Sequence, residues 1–349
     1  MNDLAGWKVR GPVRTLRSEH AEWDRGLQTW QAPRRVSTIT FRRDGQASEG
    51  EFHNPDGSIA RWARVYDAGG RIVEAQSWMD DAPRTRQRYS YDTQGRLAVV
   101  EEEAADGGRR HAERYSYDSV GRKTKVSALA SAKPNMSMLY GGFEGTEQAY
   151  GADGAATLAV AYDDRELPAE ASFHDAHGAL IRRIVFSRDR EGRLLNVVAQ
   201  FPDESPFSLA PNDATASTEE GAKMAAVLKA AFPDHVLSST TYAYDENGRL
   251  LERTVRMGTL SEERTTFRYD DRDNPIAETL ESRSRGMDID DDGAARTSEE
   301  EPRVQHHRFD YQYDDRGNWT ERVVSGRLGS EPEFQRGNIE RRTITYHDL

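Results

Sequence analysis

Four acidic residues stand at the spacing of a calcium loop. Asp288, Asp290 and Asp292 take positions one, three and five, Gly293 the sixth and Glu299 the twelfth, which completes DxDxDGxxxxxE. Hard carboxylate oxygens at that spacing suit calcium, the glycine permits a tight turn, and the last glutamate can bind through both oxygens. The flanks depart from the pattern. Ala295 stands where an apolar pairing residue is usual, Pro302 stops an exiting helix, and the preceding IAETLESR reads as a strand. The plainer reading is a solvated acidic loop between two strands.

Other chemistry is sparser. His174 and His177 flank Asp175, and His306 and His307 are adjacent. Two histidines without a third ligand are a weak metal signal, DAHG reads as an ordinary turn, and adjacent residues on a strand point to opposite faces. No GxSxG, SxxK, HExxH, Walker loop or GxGxxG occurs, so the chain is expected not to be an enzyme. With 60 Asp and Glu, paired carboxylates are abundant without marking a catalytic pair.

The elements that must position these residues form a repeat. YSYDTQGRLAVV (89 to 100), YSYDSVGRKTKV (115 to 126), YAYDENGRLLERTV (242 to 255) and YQYDDRGNWTERVV (311 to 324) share one pattern, as do the segments at 65 and 186. Aromatics two apart lie on one strand face and can stack across strands. The Asp at the strand end can accept backbone N–H bonds, the Gly three residues on supplies positive φ, and the following Arg can lie on tyrosine rings. Each unit therefore predicts a β-hairpin.

The repeat distance is 25 or 26 residues between successive Asp positions such as 67, 92 and 118, enough for two strands and two turns. Every YD turn then lies at one rim, and irregular turns such as NPDG (54 to 57) and DAHG (175 to 178) lie at the other. Surplus length falls at the irregular rim. There, Ser217 and Glu220 resemble a capping box that opens a helix over about 219 to 232. The chain closes on Tyr346, His347 and Asp348, as though another unit were starting.

These residues resemble the RHS, or YD-repeat, family over about 36 to 349, as a short free-standing member. The resemblance implies tandem antiparallel hairpins. Long members of that family resemble spiralling β shells around toxin domains, whereas here neither an autoproteolytic core motif nor an appended toxin-like domain is found. The expected fold is all-β: tandem antiparallel β-hairpin repeats forming one extended, twisted or curling sheet with one short helical insertion. Residues 1–349 form a single array, 1–45 an atypical N-terminal cap carrying Trp7, Trp23 and Trp30, 201–235 an inserted loop and helix, and 283–303 an acidic insertion.

Composition bounds the function. The chain lacks cysteine, is 36% hydrophobic and carries 48 Lys and Arg against 60 acids, a net charge of -12. Thiolate metal sites and disulfide scaffolds are excluded, and the acidity disfavours nucleic acid. Residues 1–30 hold no apolar leader segment and no run suits a helical span, so the expectation is a cytoplasmic protein without membrane contact, signal-independent export apart. The leading expectation is a non-enzymatic protein-binding repeat module, of the immunity or antitoxin type, whose partner is a basic toxin domain. The alternative is a structural RHS-like shell or secreted repeat component with a calcium-stabilised loop. Open sheet edges predict dimerisation.

Overall fold

A computed structural model describes residues 3–4, 6–128, 157–202, 231–289, 295–299 and 301–348. Its unit is the hairpin that the repeat predicts. In YSYDTQGRL the Asp92 N–H donates to Arg96 O and the Gly95 N–H to Asp92 O, and Gly95 has φ 78°. This is a type I turn followed by a left-handed residue, the geometry of a hairpin with a bulge at the glycine. The bulge brings Tyr91 opposite Leu97. At the other rim turns vary, and Asp80 and Asp81 form a two-residue connection with φ of 49° and 66°.

Strands pair antiparallel with their neighbours in sequence, and the hydrogen-bonded ladder returns on itself. The strand Val13–Asp24 pairs on one side with Arg34–Phe41 and on the other with the last strand, Gln335–Tyr346. The result is a closed 20-strand antiparallel β-barrel, in which strands make up most of the described residues. Two short strands stand outside the ring, Thr29–Trp30 on Val13–Asp24 and Ala295–Glu299 on Pro275–Ile289.

Closure corrects the expected open, twisted or curling sheet. Tyr346 is the aromatic of a unit whose next strand is the first of the chain, Val13 standing opposite Tyr346. Edge-to-edge dimerisation loses its basis, because the ring has no unpaired edge strand among the described residues. The expected helix over 219–232 lies outside the described residues save for its last two positions. Helix among the described residues is confined to Ala231 and the 3-10 turn Pro233–His235.

The chain divides into two compact units. One comprises Met1–Arg114, Tyr269–Ala277 and His307–Leu349, the other Tyr115–Arg268 and Glu278–His306. In the second, a cross-strand core runs through Leu158, Phe173, Ile184 and Val197. In the first, Leu16 and Ile39 face each other across the ladder and join Val13, Phe41, Leu4 and Val9 in a buried cluster. Gly50 extends that row. A Cβ there would come within 2.5 Å of the Trp62 ring, so glycine lets the indole lie on the strand backbone.

Candidate functional site

The repeat acids are engaged locally. In five turns the Asp Oδ2 receives Nε of the Arg four residues on, at 2.6 to 2.7 Å for Asp67, Asp92, Asp118, Asp189 and Asp245. Oδ1 of each accepts backbone N–H groups of the turn, as Asp92 does from Gln94 and Arg96 at 2.9 and 2.8 Å. Those backbone bonds first, and then the arginine, hold the Asp67 carboxyl below the usual carboxylate range. The same arginine reaches the tyrosine of the next unit. Arg71 lies over Tyr91 at 4.7 Å, Arg122 over Tyr162 at 4.9 Å and Arg193 over Tyr244 at 5.0 Å.

Leu167 takes the arginine's place after Asp163, and two further turns carry asparagine there. Asn274 and Asn318 replace the arginine after Asp270 and Asp314. The Oδ2 that Nε would occupy instead accepts the hydroxyl of the next tyrosine, Tyr313 on Asp270 and Tyr346 on Asp314. The ring-covering cation moves two residues earlier. Arg272 lies over Tyr313 at 4.2 Å and Arg316 over Tyr346 at 4.1 Å.

The N-terminal segment docks on this part of the first unit. Asn318 is 2% exposed, receives the Arg10 N–H at 2.6 Å and donates to Arg10 O at 3.0 Å and to the Tyr346 hydroxyl at 2.8 Å. At the other end of the segment Asp3 Oδ2 accepts the Ala47 N–H at 2.8 Å and Arg64 at 3.1 Å. Between these anchors Leu4 and Val9 are buried and Trp7 stacks on Phe52 at 6.4 Å.

Beneath the segment lies a cavity of about 260 Å³ whose walls include Trp7, Lys8, Tyr311, Trp319, Arg322 and Arg342, with Asn274 and Pro275 at its margin. Arg322 donates to Glu340 at 2.6 Å, directly opposite it in the ladder. Arg342 lies on the Trp319 ring at 3.5 Å and donates to Trp7 O at 3.3 Å. Burial, first, pushes the Arg342 guanidinium down to about 10, with Glu340 opposing and Arg322 adding to the fall, so it stays charged near neutrality. For Arg322, burial works in the same direction, but Glu340 outweighs it and the net shift is upward. Tyr311 edges onto Trp319 at 6.2 Å and donates to Pro275 O at 3.0 Å, and burial raises its phenol. The arrangement can hold a negative charge against an aromatic bed.

Of the residues marked from sequence, Asp290 and Asp292 lie outside the described residues. Asp288 and Glu299 fall on a β-hairpin whose register sets Asp288 opposite Arg296 and Glu299 opposite Arg285. Around Asp175 the chain makes the expected turn, with Oδ1 accepting the His177 and Ala179 N–H groups at 2.8 Å each. Trp7, noted in the N-terminal cap, does enter the cavity. Trp319 and Arg322 lie in the last quoted repeat unit and Arg342 on the strand after it, and none was marked as a site. The signal that could have found them is the replacement of GR by GN and DN in just two turns.

No family model matches the chain and no curated protein matches it. Solved structures do. A crystal structure of a TcdB2–TccC3–Cdc42 complex, whose Tc toxin components contain RHS repeats, aligns at 12% identity and TM-score 0.36 over 88% of this chain. The chain spans 16% of that protein's length. A porin-like protein from Bacteroides uniformis aligns at 10% identity and TM-score 0.36, covering 95% of this chain and 96% of its own. A putative outer membrane lipoprotein-sorting protein domain from Vibrio parahaemolyticus aligns at 10% identity and TM-score 0.16, covering 56% and 81%.

Several functional expectations are thereby corrected. A small open module that engages a basic toxin domain as an immunity or antitoxin protein does not fit a closed 20-strand barrel. The expected absence of membrane contact and the cytoplasmic location are corrected as well, because a ladder closed on itself can cross a membrane by its strands. The first rests on the lack of a helical span, the second on the lack of an apolar leader segment as well. No helix among the described residues is long and apolar enough to cross a membrane, but barrels cross by strands.

Proposed function

We propose that the chain is a YD-repeat barrel of the cell envelope that acts without catalysis, holding a small ligand beneath its own N-terminal segment. The observation that carries this reading is the cavity between the segment pinned at Asp3 and Arg10 and the wall formed by Asn274, Tyr311, Trp319, Arg322 and Arg342. Membership of the YD-repeat family is supported by the tandem YxYDxxGR units and by one turn geometry shared among them.

The location rests on fold analogy. Closed antiparallel barrels with an even strand number are an outer-membrane architecture. Rows such as Glu51, Arg61 and Asp81, or Glu74 and Arg86, face water in this reading. A lysine or arginine at the bilayer midplane costs about 2–4 kcal/mol. Fractionation of the native host should recover the protein from the periplasm or the outer membrane, and recovery from the cytosol alone would refute the location. Docking of the segment is tested separately by amide exchange, which should show Trp7 and Val9 protected in the unliganded protein.

A second proposal is calcium at Asp288, Asp290, Asp292 and Glu299, supported by the loop pattern alone. Titration calorimetry should detect binding at millimolar calcium and its loss in Asp288→Ala and Glu299→Ala.

A further inference from the structure

The cavity beneath the N-terminal segment is cationic beyond what its own acids balance. Three cations line it, Lys8, Arg322 and Arg342. The acids nearby are committed: Glu340 to Arg322, and Asp270 to its own turn and the Tyr313 hydroxyl. Arg342 directs its guanidinium face onto Trp319 and one Nη to Trp7 O, while its Nε is buried without a hydrogen-bond partner, as is the Nε of Arg322. Guanidinium groups partly withdrawn from water gain from an anion that shares their remaining donors. A fork of N–H groups set on an aromatic plane is well suited to the oxygens of a phosphate or carboxylate.

The walls narrow the class further. Trp7, Tyr311 and Trp319 present ring surface, and about 260 Å³ exceeds what a bare inorganic anion fills. Lys8 sits at positive φ, 52°, and is exposed, so the segment presents a flexible ammonium at the cavity wall.

We propose that this cavity binds a small organic oxyanion, its phosphate or carboxylate head held by Arg342, Arg322 and Lys8 and its cyclic body lying against Trp7, Tyr311 and Trp319. This rests on the docked-segment reading above and names the ligand class for that site. The oxygens accept from guanidinium and ammonium donors, and no bond is made or broken.

The test is calorimetric titration of the full chain with phenyl phosphate, benzoate and inorganic phosphate, read in parallel by tryptophan fluorescence. Phenyl phosphate or benzoate should bind at least tenfold more tightly than inorganic phosphate and should perturb the fluorescence. Arg342→Met should weaken the better probe tenfold or more. Arg342→Lys, which keeps the charge and loses the fork, should recover only part of that loss. Lys8→Ala, at an exposed position, should fold normally and weaken binding several-fold. Absence of binding by all three probes at 5 mM would overturn the proposal, as would unchanged affinity in Lys8→Ala and Arg342→Lys together. Failure of the underlying reading looks different: rapid exchange at Trp7 and Val9 in the unliganded protein, whatever the titrations show.

Discussion

The turns at Asp92 and Asp314 begin alike and close differently. In the first, Arg96 four residues on binds the carboxylate. In the second, Asn318 occupies that place, the carboxylate turns to Tyr346, and the amide is left to grip the backbone of Arg10 from both sides. The arginine turn is self-contained and could be stacked without limit. The asparagine turn gives up an internal ion pair for a contact with a distant segment. Of the two Asn turns, the one at Asn318 holds Arg10, and the one at Asn274 lines the cavity and binds the Tyr313 hydroxyl.

The largest break in this comparison should come from Asn318→Ala. It removes three buried hydrogen bonds, so the expected loss is about 3 kcal/mol in urea unfolding, together with faster exchange of the Arg10 amide. Arg96→Ala, in the self-contained class, should lower the midpoint by clearly less. Equal losses would mean that the two turn types do the same work.

A smaller effect should fall on both classes equally. Gly95 and Gly317 have φ of 78° and 77°, and alanine in that region is strained by about 1–2 kcal/mol wherever it sits. Matching unfolding midpoints for Gly95→Ala and Gly317→Ala would locate the difference between the classes in side chains alone. A divergence would put it in the backbone.

Acid should act on both classes with the smallest effect per group. Asp67 and Asp92 are held below their ordinary value first by turn N–H groups and then by arginine, while Asp314 is lowered by the Tyr346 hydroxyl against the pull of burial. A carboxyl depressed in the folded state contributes stability above its unfolded value and loses it as pH falls through the folded one. Urea midpoints should therefore be flat from about pH 7 to 5 and fall below about pH 4.

Much of the architecture is legible in the residues. The hairpin, its turn glycine, the arginine on tyrosine and the alternation of rims all follow from YxYDxxGR, because each is a contact within one repeat or between neighbours. Closure is not, since pairing of the first strand with the last is a sum of small twists along the whole ladder. The trailing Tyr346 held a trace of it, as half of a unit that Val13 completes. The cavity was equally hidden. Arg322 and Arg342 lie on ordinary alternating strands, and only the three-dimensional approach of Trp7 gives them a shared role. The DxDxDG loop shows the converse: a sharp pattern whose outer members, Asp288 and Glu299, sit on paired strands.

The pairing of Val13–Asp24 with Gln335–Tyr346 also sets an order of events. Rungs elsewhere join strands adjacent in the chain, but Thr15 and Thr345, hydroxyl to hydroxyl at 2.6 Å, stand 330 positions apart. Bringing such distant ends together costs about 3 kcal/mol more chain entropy than closing a loop of about ten residues. Hairpins can zip locally and early, whereas this last rung forms late and carries the entropy of the whole ring. Under stress the molecule should part there first, exposing two raw strand edges to its neighbours and turning a ring without edges into a chain prone to aggregate.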